Sequence, residues 1–459
     1  MLDRRRLLTA AGLSLAGAAA GCATSPAAPV QTASAVPVAK PAPAPAPELP
    51  VAPAPVTPTP GNWAAVRGMF ELDPQWVDMS AMLITAHPRP VRQAVELYRR
   101  ELDRNPIVYL QTHNRRLQDA SRIAAGQYLG VPHEQVALTG STTEGVALVY
   151  HGLRLRPGQD ILTTDQDYSG THESLRLAAE RSGAIVRRTP MYASAFAETE
   201  GALVERILAG VTPRTRVVAL TWVHSSTGLK TPVRAVAERL RAVNADRGEF
   251  DQVLLAVDGV HGFGNQEATL DGLGCDFLMA GCHKWLFGPR GTGVVAASPR
   301  GWAALRPTIP SFIHREAYSA WIAGSPIQET NGSLLSPGGF KAFEHLWAMP
   351  AAFAIHQGLG QRAVAVRTAE LAGQLKQGLL QMAHVTLHTP LSPALSAGIV
   401  SFDVAGLSPH QATARLRESR VLASVAPYAR PHVRLTPSIR NSPAEVDFAL
   451  ARVRELAAA

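Results

Sequence analysis

Residues 281–293 read GCHKWLFGPRGTG, and Lys284 within them is one of only five lysines in a chain of 459 residues. The others are Lys40, Lys230, Lys341 and Lys376, while the remaining basic positions are arginine. A lysine in so arginine-rich a chain needs a chemical reason. Lys284 follows the apolar run CDFLMA and precedes a Gly/Pro-rich turn. An amine close behind a buried strand is partly desolvated, which favours its neutral form. The neutral amine attacks an aldehyde, whereas a guanidinium stays protonated and does not.

Four other short segments offer companions. TGSTTEG, after QVAL, runs Ser141, Thr142 and Thr143 into the start of a helix pattern. Amide groups and hydroxyls there either cradle a phosphate or cap the helix. DGVHG, after QVLLAV, places Asp258 at a strand end with His261 three residues on. Tyr168 follows ILTTDQD as a large aromatic at a loop mouth, and Ser225 lies in the polar HSSTG after ALTWV. Singly, these read as caps, turns and packing. With Lys284, the phosphate cradle, the acid at a strand end and the ring-stacking aromatic form the set that holds pyridoxal 5'-phosphate (PLP). The acid keeps the pyridine nitrogen protonated, so the ring can draw electrons from a substrate's Cα.

The elements that must position these residues alternate along the chain. QVALTG, QDILTTD, AIVRRTPM, TRVVALTWV, QVLLAVDG and CDFLMAG read as short buried strands. TEGVALVYHGL, THESLRLAAERSG and PVRAVAERLRAVNADRG read as helices between them. PRPVRQAVELYRRELDR, upstream, has apolar Val91, Val95, Leu97 and Leu102 among charges and reads as an amphipathic helix. The alternation predicts an α/β fold with a mostly parallel sheet covered on both faces. Ligands of such sheets bind outside the carboxyl ends of the strands, where Ser141, Thr142, Thr143, Tyr168, Ser225, Asp258, His261 and Lys284 lie.

At AVDGVHGFG and GCDFLMAGCHKWLFGPRGTGVV the sequence resembles the class V aminotransferases, in particular their isopenicillin N epimerase-like branch. Asp258, His261, His283, Lys284 and Trp285 fall on that family's motif, and the resemblance runs from about residue 70 to 447. It implies a fold-type I PLP enzyme, with a large mostly parallel-sheet domain and a smaller α+β domain. It implies that Lys284 carries the cofactor as a Schiff base and shuttles the Cα proton. Asp258 would pair with the pyridinium, His261 with the ring hydroxyl, and Tyr168 with the ring face. Ser141, Thr142 and Thr143 would hold the phosphate, with His283 nearby. Ser225 stands where relatives often place an asparagine, and Arg434, in HVRLTPS, would grip a substrate carboxylate. The expected activity is transamination of a small amino-acid-like substrate by a homodimer. Epimerisation at Cα is the alternative, and a non-catalytic exported binding module a third. Cys282 and Cys275 lie close to Lys284 in apolar context, which argues against a desulfurase.

The chain ends and composition complete the expectations. DRRRLLTAAGLSLAGAAAGC has the layout of a twin-arginine-type export signal over residues 1–22, with lipid attachment at Cys22 left open and a periplasmic location implied. Residues 23–60 are a Pro/Ala-rich linker of polyproline II character. Residues 61–84 would join the small domain, residues 85–335 form the large domain, and residues 336–459 the rest of the small one. The formal charge of +8 is spread out with no basic–aromatic interleaving, which points away from nucleic acid. Three cysteines without zinc-like spacing suggest neither a disulfide framework nor a metal site.

Overall fold

The computed structural model describes residues 57–311, 314–326 and 329–456. The expected export signal, Cys22 and most of the linker lie outside them.

Seven strands make the larger sheet: β1 (Val136–Thr139), β2 (Asp160–Thr164), β3 (Ile185–Thr189), β4 (Thr215–Thr221), β5 (Leu254–Asp258), β6 (Phe277–Gly281) and β7 (Gly293–Ala297). Their order is β1-β7-β6-β5-β4-β2-β3. β7 runs antiparallel to both neighbours, and the other pairings are parallel. The carboxyl ends of the six parallel strands therefore share one edge. Alternate residues of the central strands enter one core: Val217 and Ala219, Leu254 and Ala256, Phe277 and Met279. The intervening Val218, Leu220, Leu255, Val257 and Leu278 are equally buried on the opposite face. Burial on both sides is why these strands read as continuous apolar runs. β7 is the strand that the alternating pattern did not announce.

A four-stranded antiparallel sheet lies in the C-terminal part: β8 (Val385–Leu387), β9 (Val400–Val404), β10 (Ser424–Val425) and β11 (Val433–Leu435). Val400, Phe402, Val404, Val433 and Leu435 pack a second core against helices Gln361–Leu380 and Pro443–Glu455. By the two-residue period of strands, Ser401, Asp403 and Arg434 face the other way. The first described segment joins this part of the molecule. Val77–Asp78 pairs in parallel with Val421–Leu422, Thr436 donates to Met79 O, and Arg440 is bonded to Asp78 at 2.6 Å.

Candidate active site

The edge formed by the carboxyl ends of the parallel strands opens onto a cavity of about 300 Å³. Its lining includes all ten residues singled out in the sequence: Ser141, Thr142, Thr143, Tyr168, Ser225, Asp258, His261, His283, Lys284 and Arg434. The loops after β1, β2, β4, β5 and β6 supply nine of them, and β11 of the second sheet supplies Arg434.

Helix α1 (Thr142–Gly152) begins in the loop after β1. Ser141 caps it, accepting a hydrogen bond from the Glu144 amide at 3.1 Å. The amides of Thr142 and Thr143, in the first turn, have no intrahelical acceptor and sit at the positive end of the helix dipole. Beside them Thr142 Oγ1 and His283 Nδ1 are buried without a hydrogen-bond partner. A Cβ placed on Gly281 would lie 2.9 Å from Thr142 Oγ1 and 3.1 Å from His283 Cε1, so the two side chains converge on one point. Thr171 Oγ1 and Thr221 Oγ1, also on the cavity wall, are orphaned in the same way. Leaving a buried polar atom unpaired costs about 1–3 kcal/mol. Four such atoms around one cavity describe a mould for a polar ligand, and the first two lie where a phosphate would meet the helix amides.

Lys284 answers the question of the rare lysine. Among the other described lysines, Lys230 donates to Gln266 and Pro393 O, Lys341 to Pro337 O, and Lys376 to Pro390 O, Leu391 O and Ser396. Lys284 Nζ makes no hydrogen bond among the described residues and faces the cavity. Burial brings its pKa down to about 8, against the opposing pull of Asp258 and with help from Arg434. Lys376 is depressed to the same value, so the shift alone does not distinguish the two; the uncommitted amine does. The backbone of Lys284 is held by Thr85, whose hydroxyl donates to His283 O at 3.0 Å and Lys284 O at 3.1 Å.

Asp258 ends β5 with its carboxylate buried. Burial raises its pKa to about 6, although the Val260 amide and Lys284 both lower it. A cation at this carboxylate would reverse the burial penalty, as a pyridinium nitrogen does. His261, one turn on, is held neutral by burial and by the nearby Lys284 and Arg434 charges. Trp285 Nε1 donates to His261 Nδ1 at 3.3 Å, so the ring proton resides on Nε2 and is available to donate. Gly264 permits this contact. At φ +78, any Cβ there would lie 2.5 Å from Leu286 N, so only glycine lets the turn after β5 close on the lysine segment.

Tyr168 is 42% exposed at the cavity mouth, edge-on to Tyr428 with ring centroids 6.0 Å apart. Its neighbour Asp167 anchors the loop. That buried carboxylate accepts from Thr163 Oγ1, Thr164 N, Thr164 Oγ1 and Thr221 N. Ser225 lines the cavity, but its hydroxyl is engaged with Tyr428 OH at 2.7 Å. Arg434 is 2% exposed. Nε donates to Ser424 Oγ, Nη1 to Ser225 O and Nη2 to Val425 O, which leaves two of its five N–H groups uncommitted. No carboxylate lies within ion-pair distance of it among the described residues, and burial brings its pKa down to about 10. An unpaired buried cation costs several kcal/mol, which an anionic ligand would offset.

Thr85, Asp167, Thr171, Thr221 and Tyr428 were not anticipated from the sequence. A hydroxyl at a strand end was the available signal for Thr221. Asp167 and Thr171 flank Tyr168 with no signal of their own, and Thr85 and Tyr428 are brought in by distant segments.

A family model described as aminotransferase class-V matches residues 80–426. The chain belongs to the class V aminotransferase family. Class V proteins are PLP-dependent enzymes, and the cavity's residues fit that cofactor: Thr142, Thr143 and His283 would hold the phosphate, Asp258 the ring nitrogen and Lys284 the aldehyde carbon. Over 401 residues the class V chain is 29% identical to isopenicillin N epimerase of Streptomyces clavuligerus, covering 84% of this chain and 96% of that one. A probable cysteine desulfurase of Vibrio cholerae is 24% identical over 429 residues, or 86% and 98% of the two chains. Among solved structures, C-DES with glycine covalently linked to its PLP cofactor superposes with a TM-score of 0.74 at 22% identity, covering 85% and 99%. The cysteine desulfurase CsdA of Escherichia coli gives 0.71 at 18% identity, covering 86% and 98%. These likenesses establish the fold as the PLP-dependent fold type I.

Proposed function

We propose that this protein is an amino-acid aminotransferase in which Arg434 holds the substrate carboxylate and Lys284 moves the Cα proton. The observation that carries the proposal is the pairing, in one cavity, of an uncommitted amine with a buried guanidinium that lacks a counter-ion. Bound there, PLP supplies an electron sink for the charge left at Cα. With its pKa near 8, Lys284 is neutral in a far larger fraction at pH 7 than an ordinary lysine, and so acts as a base. Arg434 fixes the carboxylate through its two spare N–H groups and thereby sets which bond at Cα faces Lys284. With PLP bound, the Asp258 carboxylate would hold the protonated ring nitrogen, and His261 Nε2–H would be available to the ring's oxygen. A single mobile base serves transamination, which moves one proton on one side of the substrate.

Epimerisation is the second reading, favoured by the similarity to isopenicillin N epimerase along nearly its whole length. It requires a second acid across the substrate from Lys284, and the Tyr168 hydroxyl at the mouth is the group for it. Desulfuration finds no support in the cavity. Cys275 and Cys282 are buried thiols absent from its lining, and burial pushes Cys282 up to about 12. Incubating the purified enzyme with a panel of amino acids, with and without pyruvate or 2-oxoglutarate, separates the outcomes. Product that requires the keto acid supports transamination. Inverted chirality without it, lost in Tyr168→Phe, supports epimerisation. No conversion of any amino acid would reject both.

We further propose a homodimer. Tyr318, Trp321 and Ile322 stand exposed together on the short helix Arg315–Ile322, with Trp321 72% accessible. So much apolar surface on eight residues suits a second copy of the chain. Sedimentation velocity is expected to give a dimer for the wild type and a monomer for Trp321→Glu/Ile322→Glu. A monomeric wild type would refute the proposal.

A further inference from the structure

We propose that His388, Asp403 and His432 form a second site, outside the PLP cavity, that takes a divalent transition-metal ion, zinc in the first instance. Their donor atoms all lie within 4.8 Å of one another. His388 Nε2 is 2.7 Å from Asp403 Oδ2, and His432 Nδ1 is 3.0 Å from Oδ1 and 3.1 Å from Oδ2. The two imidazoles, side by side with centroids 4.0 Å apart, both address one carboxylate.

The backbone sets this arrangement. Asp403 is on β9 and pairs with Thr386 of β8, so His388, two residues beyond Thr386, shares its face. His432 immediately precedes β11, whose Val433 pairs with Phe402, and so falls opposite Asp403. All three side chains project from the sheet face turned away from the second core. Asp403 lies within β9, while His388 and His432 directly flank β8 and β11 and are tied in by backbone bonds, His388 N donating to Ser401 O and Ala426 N to His432 O. Around a tetrahedral zinc with bonds of about 2.0–2.1 Å, neighbouring donors sit roughly 3.3 Å apart. The observed N–O separations need to open by only a few tenths of an ångström. The side chains are 24%, 38% and 15% exposed, open enough for an ion to enter and for water to complete its shell. Two imidazoles and one carboxylate select zinc, copper or nickel over calcium or magnesium, which prefer oxygen.

The site is also placed to matter. His432 lies two residues before Arg434 on the same strand face, and the segment between β10 and His432 carries Pro427, on the cavity wall, and Tyr428, bonded to Ser225. An ion at His432 would pin the far end of that segment. The sequence offered no zinc signal because the three ligands come from separate strands, at separations no metal motif uses.

Equilibrium dialysis of the PLP-loaded enzyme against micromolar ZnCl2, followed by metal analysis, tests the proposal. The expected result is one zinc per chain, weakened at least about 10-fold in His388→Gln and in Asp403→Asn. His384→Gln, which alters a histidine outside both the cluster and the PLP cavity, should retain it. Retained yellow colour and circular dichroism will establish that the variants are folded. Independently, a zinc-soaked crystal should show an anomalous peak between the three side chains. Absence of stoichiometric zinc at 100-fold excess over protein, binding unchanged in both variants, or a peak elsewhere would each overturn it.

Discussion

Lys284→Ala is expected to be colourless as purified and to lose turnover by on the order of 10³-fold or more, since it removes both the covalent link and the proton-transferring base. The fold should persist. The Lys284 side chain makes no hydrogen bond among the described residues, and its backbone is held by Thr85, which the substitution leaves in place. Removing a partly buried amine also relieves a desolvation cost, so thermal stability without PLP should not fall. Asp258 will respond too. With the Lys284 charge gone, one of the influences lowering its pKa disappears, and the carboxyl should titrate above its present value of about 6. The measurement is absorbance of the wild type and variant with added PLP. Borohydride treatment should fix the label on the wild type alone. Equal labelling of the variant would move the attachment point elsewhere.

Arg434→Lys is expected to keep the colour and lose the substrate. Lysine preserves one positive charge but cannot present two parallel N–H groups to a carboxylate. Losing a buried charge-assisted pair costs about 2–5 kcal/mol, so kcat/KM should fall by roughly 30-fold to several thousand-fold. The effect should fall mainly on KM if the carboxylate is held equally before and during proton transfer. Arg434 has a second duty, because its bonds to Ser225 O, Ser424 and Val425 O join the second sheet to the loop after β4. Arg434→Gln removes the charge as well, and should lower both stability and turnover. Amines that lack a carboxylate are expected to be poor substrates of the wild type and nearly indifferent to either change. If Arg434→Lys leaves kcat/KM unaltered for a carboxylate substrate, Arg434 does not hold that group.

The parts of the site legible in the sequence were those set by a local rule. A buried strand ending in Asp258, a glycine and hydroxyls before α1, and a rare lysine behind β6 each carry their signal within a few residues. The parallel-sheet rule then brings them to one edge. What escaped is long-range. Thr85 reaches the Lys284 backbone across 199 residues, and Tyr428 reaches Ser225 across 203. Ser225 illustrates the cost of that blindness: it was counted among the cofactor-binding residues, and its hydroxyl is bonded to Tyr428 of the segment between β10 and β11. Strand direction escaped as well. The apolar run Gly293–Ala297 has the composition of its neighbours, and only its short connection to β6 makes it antiparallel. The histidine pair flanking Asp403 lay wholly outside sequence reach for the same reason.

The central claim is that Lys284 takes a proton from the Cα of a carboxylate-bearing amino acid. Proton NMR of amino acids incubated with the enzyme in D2O, without any keto acid, tests it most directly. Wild-type enzyme is predicted to erase the α-proton signal of at least one amino acid, faster with pH through about 8 and levelling above it, as the Lys284 amine loses its proton. Lys284→Ala is predicted to leave that signal intact over the same time. Persistence of every α-proton with the PLP-loaded wild type, or equal loss with Lys284→Ala, would contradict the account.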